Sequence, residues 1–281
     1  MKQLLKALVP ERIRTPLLHW LCFAQRRIAL EWFRRYGNGA FYCPVCEEKV
    51  GRFNPMSPDF FQELRQHGFD MSEHEFETFH GPQYSCPWCE SPDRSRLYAL
   101  YLSERLAGLP GHFKLVDFAP SAPLRQWIKD SFQICYRSAD LIMEHVDDRV
   151  DLTDMVIYPD ASVDAFICSH ILEHIPNDTK AMRELFRILK PGGWGILMVP
   201  ICLRQREVFE DLAKATTEAD RWHHFGQGDH VRIYSKQGFI DRVSSLGFII
   251  QQYGVAHFGE DTFRRCGIAQ KSVLYVVEKH G

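Results

Sequence analysis

The sequence predicts an α/β fold, a largely parallel sheet wrapped by helices, and three observations carry that reading. From about residue 112 onward short apolar runs alternate with amphipathic stretches, the pattern of strands joined by crossover helices. The first run, Leu115-Val116-Asp117-Phe118, carries a carboxylate near its end, and a second carboxylate, Asp140, closes the next run 23 residues later. Two extended runs, Phe248–Tyr253 and Ser272–Val277, follow one another at the end of the chain, so the last connection of the sheet needs no helix of full length.

The elements read as follows. Phe113–Phe118 is a buried strand and Leu124–Ser131 a helix. Gln133–Tyr136 is a second strand running out to Ser138-Ala139-Asp140, and a weak third lies near Arg149–Leu152. Val163–Cys168 is a fourth. Thr179–Leu189 is a helix, because Met182, Leu185, Phe186 and Leu189 recur at three- and four-residue spacing. Lys190-Pro191-Gly192-Gly193 stops that helix, and Trp194–Val199 is a fifth strand. After a long insertion, Lys236–Leu246 is a helix before the two closing strands.

Composition bounds the class. The chain has 281 residues, 45% hydrophobic and 25% charged, which is the balance of a globular protein and excludes a disordered or fibrous one. The formal net charge of −2 hides an asymmetry. Residues 1–36 hold eight Lys/Arg against Glu11 and Glu31, a net of +6, and the remainder carries −8. An acidic body argues against nucleic acid as a partner. No uncharged apolar stretch approaches the ~20 residues that span a bilayer, and Arg26-Arg27 follows the longest one where a cleavage site would be expected in a secretory signal. The expected location is the cytoplasm.

Three regions separate: a basic helical segment over 1–36, a metal module over 37–95 and the α/β domain over 96–281. In the first, Leu17, Leu21, Ala24, Ile28 and Trp32 form one apolar stripe beside Arg26, Arg27, Arg34 and Arg35. Such a helix suits either the surface of an anionic membrane or a docked position on the domain. In the second, Cys43-Pro44-Val45-Cys46 and Cys86-Pro87-Trp88-Cys89 are two hooks able to complete a tetrahedral zinc site. Four protein ligands make such a zinc structural. The 39 residues between the hooks exceed the usual ribbon spacing, and Glu47 and Glu90 stand where knuckles carry glycine.

In the third region Asp140 is placed to accept from a ribose diol. The glycine-rich turn that normally accompanies it is missing, and Pro120 removes a backbone donor, so a cofactor without phosphates fits better than a dinucleotide. The densest pattern runs Asp151-Leu152-Thr153, then Cys168-Ser169-His170-Ile171-Leu172-Glu173-His174, then Leu189-Lys190-Pro191-Gly192-Gly193. This resembles the class I S-adenosylmethionine-dependent methyltransferases, in the branch whose fourth strand ends in S-H-x-L-E-H. With the Cys-x-x-Cys pairs before Arg94-Ser95-Arg96 and the D-F-A-P turn, it is similar to a zinc-hook subgroup of bacterial methyltransferases. The resemblance covers roughly 112–277.

The resemblance implies a seven-stranded, Rossmann-like sheet in the order 3-2-1-4-5-7-6 with the last strand antiparallel, and S-adenosylmethionine as cofactor. By the same resemblance Asp117, Phe118 and Ala119 approach its methionine part, Asp140 takes the ribose hydroxyls and Leu141 packs on the adenine. Asp151 and Leu152 border the adenine, and Ser169 and His170 line the methyl-transfer face. His170 and His174 are candidate bases, or else braces of their loop. Alternation in Asp229-His230-Val231-Arg232-Ile233-Tyr234 puts His230, Arg232 and Tyr234 on one face, with His230 a further candidate base and Arg232 and Tyr234 candidates for acceptor binding. The leading functional reading is O-methylation of a sugar or another polyhydroxylated molecule. An RNA methyltransferase, or a non-catalytic zinc-stabilised binding module, are the alternatives. There is no Asn/Asp-Pro-Pro-Tyr or Pro-Cys after the fourth strand, as amino- and cytosine-methylating enzymes require.

Overall fold

The computed structural model describes residues 39–281. The basic helix expected over 1–36, and with it the membrane contact, lies outside the described residues. The described chain starts with a short hairpin, β1 (Phe41–Cys43) and β2 (Glu48–Val50), whose turn carries the first cysteine hook. Helix α1 (Pro58–Gln66) follows, and α2 (Asp93–Leu106) begins four residues after the second hook.

The domain proper alternates as expected: β3 (Lys114–Phe118), α3 (Ala122–Ser131), β4 (Cys135–Asp140), β5 (Asp148–Arg149), β6 (Val163–Ser169), α4 (Asp178–Ile188) and β7 (Leu189–Met198). Helix α5 (Glu218–Phe225) lies in the insertion, and α6 (Lys236–Ser244), β8 (Phe248–Tyr253), two short helices and β9 (Leu274–Lys279) complete the chain. The seven strands of the main sheet lie in the order β5-β4-β3-β6-β7-β9-β8, with β9 antiparallel to both its neighbours. That is the 3-2-1-4-5-7-6 order expected.

Two elements differ from the sequence reading. The third strand is shorter and earlier, Asp148–Arg149 rather than 149–152, because Asp151 Oδ1 accepts from the Thr153 amide at 2.7 Å and turns the chain. Lys190–Gly193 is not a gap between helix and strand. Leu189 already pairs with Val163, Trp194 pairs with Ala165, and the four residues between bulge out of the ladder. Gly195, opposite Phe166, is required by space: a Cβ there would stand 2.4 Å from the Phe166 ring.

The cysteine module is folded onto the sheet domain. Val45, Val50 and Phe53 share one apolar core with Leu115, Phe166, Ile196 and Val276. Arg96 on α2 is fully buried and donates to five carbonyls, those of Gln83, Tyr84 and Ser91 beside the second hook and those of Cys266 and Gly267 near the C-terminus. Its guanidinium lies 3.9 Å from the centre of the Phe53 ring. A second, smaller core joins Phe69 to Cys202, Ala215, Phe225 and Ile233, so the stretch between the hooks and the insertion after β7 pack together. Among the described residues no helix is long and apolar enough to cross a membrane.

Candidate functional site

The two hooks meet. Cys43 Sγ lies 3.7 Å from Cys89 Sγ, Cys46 Sγ lies 3.8 Å from Cys86 Sγ, and all four sulfurs fall within 4.8 Å of one another. A zinc ion bound tetrahedrally at ~2.3 Å holds its sulfurs ~3.8 Å apart, so the donor set fits that ion. Ser91 Oγ lies 3.3 Å from Cys43 Sγ and 3.1 Å from Cys89 Sγ, a partner for the thiolate charge. Glu47 and Glu90 adopt φ of +59° and +64°. The backbone thus makes the left-handed knuckle turn that glycine normally makes, at a cost of ~1 kcal/mol or more each.

The carboxyl edge of the sheet repeats this device. Ala119, directly after β3, has φ +51°, and His170, directly after β6, has φ +56°. Open α/β sheets bind ligands at this edge, and two adjacent strands here end in left-handed residues that are not glycine. Asp117 is buried and accepts from the Tyr136 hydroxyl at 2.8 Å. Burial pushes its carboxyl up to about 7, although the Tyr136 bond pulls the other way. Asp140 Oδ1 accepts from the amides of Ile142 and Met143 at 2.6 and 2.7 Å. The apolar side chains after it stand in solvent, Leu141 at 50% and Ile142 at 79% exposure, next to the carboxylate expected to hold a ribose.

The other expected residues of this half have other attachments. Phe118 turns its ring into the core against Tyr158. Ser169 Oγ lies 2.7 Å from the Tyr98 hydroxyl of α2. Leu152 is buried and Asp151 is exposed, holding its own turn.

Beside this edge, at the ends of β6 and β7, opens a cavity of about 330 Å³. Its wall is apolar and comes largely from the stretch between the hooks, with Met56, Phe60, Phe61, Phe69, Phe76 and Phe79 among its residues. Arg94, His170, Glu173, His174, His230 and Arg232 are among its polar residues. The long spacing between the hooks thereby finds its reason, since those residues build a pocket wall.

His170 Nδ1 lies 3.3 Å from Glu173 Oε1, and His170 Nε2 is buried without a hydrogen-bond partner among the described residues. Burial, and then the Arg94 charge, push the His170 imidazole below its ordinary value. Burial pushes His230 down to about 4. Burial alone would raise the Glu173 carboxyl, but His170 beside it, with His230 and His174, holds it below the ordinary carboxylate range. His174 Nδ1 lies 3.2 Å from Asp229 Oδ2, and its ring meets that of His230 edge to face at 4.6 Å. The three histidines named from the sequence are therefore brought together, around a glutamate that the sequence reading had quoted inside its motif but not placed in the site.

Arg232 and Tyr234 are not free to reach an acceptor. Arg232 is 3% exposed, and its guanidinium donates to the carbonyls of Leu172, Ile175 and Pro176 and to Glu210. The Tyr234 hydroxyl donates to buried Asp178, which also pairs with Arg242. Both side chains brace the loop that carries Glu173 and His174. His230, Arg232 and Tyr234 are all buried; His230 and Arg232 line the cavity, whereas Tyr234 does not.

The seven-stranded α/β sheet thus carries, against its carboxyl edge, a wall contributed by the stretch between the cysteine hooks. Residues 132–197 match the family model described as a methyltransferase domain. The chain is similar to the ubiquinone biosynthesis O-methyltransferase of Xanthomonas oryzae pv. oryzae (strain PXO99A), 32% identical over 95 residues, which are 33% of this chain and 35% of that protein. It thus spans about a third of the length of the curated relatives it matches. Solved structures that resemble it include the cyclase SpnF, at 16% identity and TM-score 0.47 over 82% of this chain and 100% of that one. A SAM-dependent methyltransferase from Archaeoglobus fulgidus resembles it at 11% identity and TM-score 0.42, over 65% and 92%.

Proposed function

We propose that the protein is an S-adenosylmethionine-dependent O-methyltransferase whose acceptor is a hydroxylated molecule with an apolar body. The observation that carries this reading is the position of the pocket. It opens where β6 and β7 end, beside the edge at which such sheets bind their cofactor, and His170, whose buried Nε2 has no hydrogen-bond partner among the described residues, is one of its polar lining residues. Asp140, with exposed Leu141 and Ile142 beside it, and Asp117 with Ala119 would hold the cofactor. The cofactor supplies an activated methyl group. In-line transfer then asks the protein to align the acceptor oxygen and to take its proton. With the Glu173 carboxylate at Nδ1, the imidazole of His170 keeps a proton there and leaves Nε2 to accept one from the hydroxyl. The Phe and Met wall would exclude water from that exchange.

The relative's printed activity, O-methylation in ubiquinone biosynthesis, supports oxygen as the acceptor atom. The wall favours an apolar ring or chain over the polyhydroxylated sugar expected from sequence. Cys43, Cys46, Cys86 and Cys89 would hold a structural zinc that fixes the wall.

The test is incubation with S-adenosylmethionine and two acceptor panels, phenols and hydroxylated lipids in one and sugars in the other, read by formation of S-adenosylhomocysteine. Turnover confined to the first panel is expected. Turnover confined to sugars overturns the acceptor class, and failure to bind S-adenosylhomocysteine at millimolar concentration overturns the enzyme.

A further inference from the structure

The polar end of the pocket contains a second set of metal-type donors. Glu173, His174 and His230 each offer one ligand atom, and these atoms lie within 4.8 Å of one another. Glu173 is 0% exposed; its Oε1 has only the 3.3 Å contact with His170 Nδ1, and its Oε2 has no hydrogen-bond partner among the described residues. No Lys or Arg nitrogen forms an ion pair with it among those residues. Arg232, next but one to His230 in sequence, is spent on three carbonyls, Glu210 and Asp178. A buried carboxylate with one imidazole contact and no Lys or Arg partner is costly to keep, and the side chains around it are imidazoles.

We propose that Glu173, His174 and His230 form a divalent-cation site at the polar end of the pocket, distinct from the four cysteines. Two imidazoles and one carboxylate suit a first-row transition ion better than Mg²⁺ or Ca²⁺. Three protein ligands leave coordination positions open, where the four thiolates leave none. The contact of Asp229 with His174 Nδ1, at 3.2 Å, is the outer carboxylate that metal-binding histidines commonly carry, and it leaves Nε2 to ligate. Such an ion would bind the acceptor oxygen and lower its pKa. That use rests on the methyl-transfer reading; the binding of the ion does not.

The experiment uses the full chain, stripped of exchangeable metal with a mild chelator, with its cysteine-bound zinc verified by metal analysis. Co²⁺ is then titrated. One equivalent is expected to bind with weak visible bands and without the intense thiolate-to-metal absorption of a cysteine site. Glu173→Gln and His230→Gln should each weaken that binding more than tenfold, with zinc content and S-adenosylhomocysteine affinity unchanged. His174→Gln, at a half-buried position, is a third variant should either of the others fail to fold. No Co²⁺ bound by the wild type at millimolar concentration, or equal affinity in the folded variants, overturns the site. Loss of S-adenosylhomocysteine binding in the wild type would instead strike the methyl-transfer reading and leave the ion in place.

Discussion

The two sides of the carboxyl edge are built on different plans. The proposed cofactor side, at the ends of β3 and β4, is made of residues close in sequence: Asp117, Ala119, Tyr136 and Asp140 come from one β-α-β unit. The acceptor side collects Phe60 and Phe79 from between the cysteine hooks, Arg94 from α2, His170 and Glu173 from the end of β6, and His230 from the insertion. One side is given by the sheet topology. The other depends on long-range ties: two cysteine hooks, the small core of Phe69 with Phe225, and the Arg232 clamp on the loop after β6. A change in those ties should therefore harm acceptor binding more than cofactor binding.

The largest expected effect comes from breaking the cysteine tie. If the four cysteines hold the proposed zinc, Cys86→Ser should abolish its binding and lower the melting temperature by roughly 10 °C or more, as structural zinc contributes folding free energy directly. S-adenosylhomocysteine affinity should fall less than turnover; equal losses would show that the two sides are not separable. Next is His170→Asn, chosen because asparagine tolerates the left-handed φ of +56°. Turnover should drop by ~10²-fold or more, as for a lost general base, with calorimetric affinity for S-adenosylhomocysteine within a few-fold of wild type.

On the cofactor side, Asp140→Ala should weaken S-adenosylhomocysteine by ~1–3 kcal/mol. Part of that loss is expected to come from the Ile142 and Met143 amides it releases. Asp117 is read instead through pH dependence. Folded Asp117 keeps its proton to about 7, whereas the ordinary carboxyl releases it near 3.8. Between those values the folded state binds more protons, so stability falls as pH rises through the window. Asp117→Asn should flatten that slope in urea melts, and an unchanged slope would mean that another group carries it. Smallest is Ala119→Gly, which relieves the φ of +51° and should raise stability by ~0.5–1 kcal/mol.

The legibility of the chain follows the same division. The strands and helices of the sheet domain and the meeting of the two hooks were readable because local periodicity and Cys-x-x-Cys spacing encode them, whereas the strand order came from the family resemblance. His170, His174 and His230 were readable as candidates because two lie in one motif and the third in a short alternating segment. The roles of Arg232 and Tyr234 were not, since alternation says which face a residue occupies but not whether that face meets solvent or carbonyls. Glu173 was missed because a glutamate in a motif looks like any surface carboxylate until its burial is known. The apolar wall was hidden for a related reason. Phe60, Phe69 and Phe79 sit in a stretch without period, and only its closure by cysteines at both ends makes it a wall. The missing glycines misled least in outcome, because Glu47, Glu90, Ala119 and His170 adopt the left-handed conformation without them.

Arg96 also bears on the order in which the chain is assembled during synthesis. Three of its five carbonyl partners belong to residues 83–91 and are made before it, whereas Cys266 and Gly267 emerge 170 residues later. Until then a guanidinium destined for full burial has only part of its coordination, and the cysteine hooks beside it rest on an unfinished floor. The cysteine module therefore completes its contacts only after Cys266 and Gly267 have been synthesised. A chain truncated before Cys266 also loses β9, the only strand among the described residues that β8 pairs with, so it should retain at most the strands up to β7 and fail to seat its cysteine hooks.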